Sequence, residues 1–212
     1  MRKFFGRYGY SAVKLFVTQF ALGLFGAMLT SSTLEENVLA IVVGIFAVAF
    51  YLFLIYMNVW DIGAKDKISV DCGKLESNPW RGVLIALIAN IPNLILATVY
   101  MIVRLAAPMN DAVSAFIRML AFLIEGMYYG LLAAITLGTR TVEVDGEMIT
   151  EGIPLFEYWW PFFVIVIPAL IVSGLAYYLG TRNAHFSKLM ETEYPESDRE
   201  PKLKKDKKDK DK

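Results

Sequence analysis

Residues 37–58 read N-V-L-A-I-V-V-G-I-F-A-V-A-F-Y-L-F-L-I-Y-M-N, without one charged side chain. About 20 consecutive apolar residues carry a helix across the roughly 30 Å hydrocarbon layer of a bilayer. Working outward, four more runs of comparable length lie at about 15–33, 82–103, 112–138 and 154–181. The 212-residue chain is 56% hydrophobic, above the roughly 45–50% of soluble domains. This composition predicts an all-α integral membrane protein of about five hydrophobic helices. A soluble enzyme and a nucleic-acid module are excluded as classes. Residues 1–184 read as one polytopic membrane domain, and 185–212 as a charged, disordered tail.

Single-copy residues narrow the chemistry. Cys72 is the only cysteine and His185 the only histidine. No internal disulfide and no Cys-based or paired-His zinc site can be built from them. Neither a G-x-S-x-G elbow nor an H-E-x-x-H helix occurs. The expectation is a protein that is not an enzyme and carries no cofactor and no metal centre. Its surroundings are the lipid bilayer and, through close helix contacts, a second copy or a membrane protein partner.

The polar connections set the orientation. Arg2, Lys3, Arg7 and Lys14 lie at the N-terminus, and Lys65, Lys67, Lys74 and Arg81 in the second connection; residues 31–36 hold no base. The excess of Lys and Arg in cytoplasmic loops predicts a cytoplasmic N-terminus in a multi-pass plasma-membrane protein. Five plain crossings would put the basic tail from Arg182 on the far side. A third run that enters and leaves on one side would bring it back. That run holds A-N-I-P-N (89–93), and a central proline removes a backbone donor and disrupts the preceding turn. A broken or re-entrant third helix is therefore available, provided protein or a wet cavity surrounds it.

Two connections carry further signals. Residues 60–66, W-D-I-G-A-K-D, place Asp61 and Lys65 at helical pairing distance beside Asp66. They read either as a solvated connector or as a docking loop. Residues 141–150 flank Asp145-Gly146 with Val, Thr and Ile, which predicts a small β-hairpin between the fourth and fifth runs.

Depth singles out a polar constellation. Gln19 lies in the first run, Asn90 and Asn93 at the centre of the third, and Arg118 and Glu125 in the fourth. Ionisable groups at that depth cost several kcal/mol and usually face a bundle interior or water. Helical spacing aligns Gln19 with Gly23, Gly26 and Thr30; Asn90 with Ala86, Asn93, Ala97 and Tyr100; and Glu125 with Ser114, Arg118, Ala121 and Tyr128. Arg118 lies two turns from Glu125, about 10 Å along the axis, too far for easy direct pairing. The same residues also serve as helix-packing glue, because interhelical amide bonds are common.

Three phrases, Q-F-A-L-G-L-F-G (19–26), W-D-I-G-A-K-D (60–66) and A-N-I-P-N (89–93), are similar to small multi-pass membrane proteins of Gram-positive bacteria that have no assigned activity. The resemblance covers roughly residues 10–105. It implies a bacterial plasma membrane and carries over no functional residue. Two functions remain: a transporter or ion-coupled protein with a polar midplane site around Glu125, and a non-catalytic subunit or docking protein of a larger complex.

Overall fold

In the computed structural model, residues 2–33, 37–76, 78–106, 111–144 and 147–182 are described. Helix α1 (Arg2–Ser31) and helix α2 (Asn37–Asp71) form an antiparallel pair. Each buries one narrow stripe. On α1 it runs Tyr8, Ala12, Leu15, Gln19, Gly23, Gly26 and Thr30; on α2 it runs Ala40, Gly44, Ala47, Tyr51, Ile55, Val59, Gly63 and Asp66. Spacings of three and four keep such a stripe on one face, and small residues let the helices approach. The opposite faces expose Val13, Val17, Phe46 and Phe53, among others. A continuous apolar outer surface would be an aggregation liability in water and is the expected surface in lipid.

Helix α2 extends to Asp71, well past the expected end of the second run near residue 58. The charges of 60–71 therefore lie on a helix rather than in a loop. The i,i+4 pairs Asp61–Lys65 at 2.6 Å and Lys67–Asp71 at 3.2 Å line its exposed side. Cys72 follows in the turn, exposed and unpaired.

The third run is two helices, α3 (Trp80–Ala89) and α4 (Ile91–Ala106), bent by 58°. The cause is local. Pro92 has no N–H for the carbonyl of Ile88, yet it suits the first turn of a new helix. Asn90 ends α3 at φ −90° and ψ 1°, and its side-chain Nδ2 donates to the Ala86 carbonyl at 2.8 Å.

The fourth run is interrupted too, which its apolar pattern did not suggest. Helix α5 (Asp111–Glu125) ends at the carboxylate itself, residues 126–128 form one 3-10 turn, and α6 (Tyr129–Ala134) follows. Glu125 has φ −112° and ψ 22°, outside the helical well. Close packing explains the position. A Cβ on Gly23 would stand 2.6 Å from the Ile124 carbonyl oxygen, and one on Gly126 would overlap the Gly23 carbonyl. The glycines of both segments thus bring α1 backbone to backbone with the break.

Strands β1 (Thr136–Val144) and β2 (Glu147–Pro154) form the expected antiparallel hairpin, with Val144 opposite Glu147. The turn residues Asp145 and Gly146 lie outside the described residues. The register shifts between Thr136 and Thr139, where Gly138 takes φ +82°, a bulge geometry that favours glycine. Helices α7 (Pro161–Val164) and α8 (Val166–Thr181) complete the chain. Pro161 starts α7 at a first-turn position. The interruption at Ile165 lies just before Pro168, which offers no N–H to the Val164 carbonyl.

The ends of the bundle follow from these contacts. Tyr177 on α8 bonds Asp66 near the end of α2, and Tyr8 near the start of α1 bonds the same carboxylate. Gly82 on α3 packs against Ser173 and Tyr177. The start of α1, the end of α2, the start of α3 and the end of α8 therefore share one end. Gly130 on α6 packs against Thr30 and Ala40, and Gly44 against Leu131, which places α6 and the hairpin after it at the other end. Between them, α3–α4 and α5–α6 make one net passage from end to end, so the two runs are not two plain crossings. The tail expected from 185 onward lies outside the described residues; α8 ends where α1 begins.

Four helical stretches, Phe4–Ser31, Val38–Asp71, Ala112–Ala134 and Pro161–Thr181, are long and apolar enough to cross a membrane, and the bent α3–α4 pair is a fifth candidate. With the outward apolar faces, this is the architecture of a multi-pass helical membrane protein.

Candidate functional site

Among the described residues two carboxylates are buried in the bundle, and they are held differently. Glu125 is 4% exposed. Its Oε1 accepts a short hydrogen bond from Asn93 Nδ2 on α4. Asn93 lies in the first turn of α4, just past the bend at Asn90. On the other side, Gln19 Nε2 on α1 donates to the Tyr51 hydroxyl on α2 at 2.9 Å. The Tyr51 ring stands edge-on to Tyr128, centroids 5.8 Å apart. Helices α1, α2, α4 and α5 and the 3-10 turn thus contribute Gln19, Tyr51, Asn93, Glu125 and Tyr128 to one polar centre.

That centre is rich in unmatched oxygens. Among the described residues, Glu125 Oε2, Asn93 Oδ1, Gln19 Oε1 and the Tyr128 hydroxyl make no hydrogen bond although each is buried. An unmatched buried polar group costs about 1–3 kcal/mol, so several together are a burden that packing alone does not require.

Two members of the expected constellation stand apart. Asn90 spends its amide nitrogen on its own helix, at Ala86. The Arg118 guanidinium lies 5.0 Å from the Phe156 ring centroid, a cation–π arrangement. Tyr100 itself donates to the Glu157 carbonyl at 3.0 Å, and Arg140 Nη1 bonds the Glu157 carboxylate at 2.8 Å. These contacts tie α4 and α5 to the segment between the hairpin and α7.

The second buried carboxylate is Asp66, 6% exposed. Arg7 reaches Oδ1 at 2.6 Å through Nη2, Tyr8 donates to Oδ2 at 2.6 Å, and Tyr177 donates to the same oxygen at 2.9 Å. Arg7 also bonds Ser69 at 3.1 Å. The sequence reading places Asp66 with Asp61 and Lys65 in one docking loop. The structure separates them: Asp61 and Lys65 remain an exposed pair, whereas Asp66 turns inward and clamps α1, α2 and α8. Its position on the stripe Ile55, Val59, Gly63, Asp66 is the sequence signal that marks it. Beside the clamp, a cleft of about 300 Å³ opens between α1 and α2, lined in part by Arg7, Lys14, Asn58, Asp61 and Lys65.

The site and fold together define a polytopic helical membrane protein with a polar centre at a helix break. No protein-family model, curated protein or solved structure matches the chain.

Proposed function

We propose that the protein is a small transporter or ion-coupled membrane protein whose working site is the Glu125 centre. The observation that supports this reading is the half-satisfied carboxylate: one oxygen bonded to Asn93, the other without a partner, among further unmatched oxygens. Transporters place such groups near the membrane midplane on interrupted helices. Here both α3–α4 and α5–α6 are interrupted beside the carboxylate. The N-terminal end, with Arg7, Lys14, Lys65, Lys67, Lys74 and Arg81, faces the cytoplasm by the charge bias, together with the end of α8.

The test is flux in liposomes carrying the full chain, with Glu125→Gln as the variant. Gln keeps the shape and removes the charge. Loss of solute or ion flux with unchanged assembly fits the proposal; full flux from Glu125→Gln refutes it. The competing reading, a non-catalytic subunit that docks a partner, draws on the exposed Asp61–Lys65 face of α2. It gains if charge reversal at Asp61 and Lys65 abolishes cellular function while Glu125→Gln leaves it intact.

A further inference from the structure

We infer that the Glu125 centre binds a small monovalent metal cation, with Na⁺ as the probe. The inference rests on the reading of Glu125 as the working site and adds the chemical class of its ligand.

The side-chain amide nitrogens in the region each make one hydrogen bond: Asn93 Nδ2 on Glu125, Gln19 Nε2 on Tyr51, and Asn90 Nδ2 on the Ala86 carbonyl. The buried atoms left without a partner at the centre are all oxygens, from a carboxylate, two amide carbonyls and a phenol whose O–H can turn aside to leave its lone pairs free. Oxygen donors are the preferred ligands of hard cations. An anionic ligand would meet these oxygens with repulsion.

Charge sets the valence. Glu125 is the one carboxylate of the centre among the described residues, and the Arg118 guanidinium on the same helix is engaged over the Phe156 ring instead. An ionised carboxylate buried in a protein needs a compensating charge. One positive charge balances it; a divalent ion would leave a buried excess. The donors also come from separate segments. Glu125 ends α5, Tyr128 closes the 3-10 turn that follows, Asn93 lies in the first turn of α4 just after the bend, and Gln19 lies on α1.

The experiment is thermal unfolding of the detergent-solubilised full chain in choline chloride, with choline replaced by NaCl, KCl or LiCl at constant ionic strength. The expected result is a saturable rise in Tm with Na⁺, absent in Glu125→Gln and weakened in Asn93→Ala. Asn93→Asp adds a second carboxylate and should move the response from Na⁺ toward Ca²⁺, a gain that misfolding cannot imitate. A wild-type Tm indifferent to Na⁺, or an equal rise in Glu125→Gln, overturns the inference.

A flux measurement separates the two ideas. Flux driven by a pH gradient and indifferent to Na⁺ makes the proton the coupling ion and overturns the cation site, while the transport reading stands. A Na⁺-dependent Tm rise that requires Glu125, without flux of the solutes and ions tested, retains the cation site and counts against transport.

Discussion

Asp66 and Glu125 are both buried carboxylates on helices of one bundle, yet their surroundings differ in kind. Asp66 receives a guanidinium and two phenols; Glu125 receives one amide. A carboxylate whose oxygens are filled by its own protein holds helices together. One left half-filled at a helix break fits, on the proposed reading, a ligand that comes and goes. The difference teaches that burial alone does not assign a carboxylate its role, and that its partners have to be counted as well.

The comparison can be broken most forcefully at the clamp. Asp66→Ala leaves the Tyr8 and Tyr177 hydroxyls without their acceptor. Losing one partner of a buried ion pair costs about 3–5 kcal/mol, and the partial exposure of Arg7 reduces this toward about 2–3 kcal/mol. The expected outcome is a large fall in Tm in detergent, with flux lost only in proportion to folded protein. A stable Asp66→Ala variant would mean the clamp is not structural.

Next comes the close approach that fixes the break. Gly126→Val places side-chain atoms where the Gly23 backbone lies, and overpacking of this kind costs about 1–3 kcal/mol. Tm should fall and flux should fall further than Tm predicts, because the break positions Glu125. Equal loss of both would detach the break from the function.

Glu125→Gln should change stability by less than about 1 kcal/mol, since an amide keeps one hydrogen bond and removes a buried charge. Flux should nevertheless drop about tenfold or more, as expected for an intramembrane ionisable residue with a functional role. A Tm loss as large as that of Asp66→Ala would place Glu125 among the structural carboxylates and erase the contrast.

The smallest effect belongs to the exposed face of α2. Asp61→Ala removes an i,i+4 pair between exposed side chains and should cost about half a kcal/mol or less, close to the resolution of a melting curve. Shared ends of α1 and α8 have a separate check. A membrane-impermeant thiol reagent should reach Cys72 and Arg182→Cys from one side, and Thr150→Cys, in a Cys72→Ser background, from the other. Labelling of Arg182→Cys and Thr150→Cys from one side would contradict the arrangement of ends.

The chain by itself determined the class of protein and much of its local structure. Uninterrupted apolar runs leave only a membrane as solvent, Pro92 and Asn90 fix a bend wherever their helix packs, and the strands around Asp145-Gly146 pair as neighbours along the chain. The small-and-polar stripes on α1 and α4 were legible for the same reason: helical periodicity is a local property. Partnership is not local, and there the tertiary structure decided. Glu125 and Asn93 are 32 residues apart, and Asp66 lies 58 from Tyr8 and 111 from Tyr177. Which side chain reaches which carboxylate depends on how α1, α2, α4, α5 and α8 meet, and glycine contacts such as Gly23 with Gly126 help set that. The break at Glu125 belongs to the same category. Its flanking sequence is apolar enough for a continuous helix, and the packing against α1 ends it there.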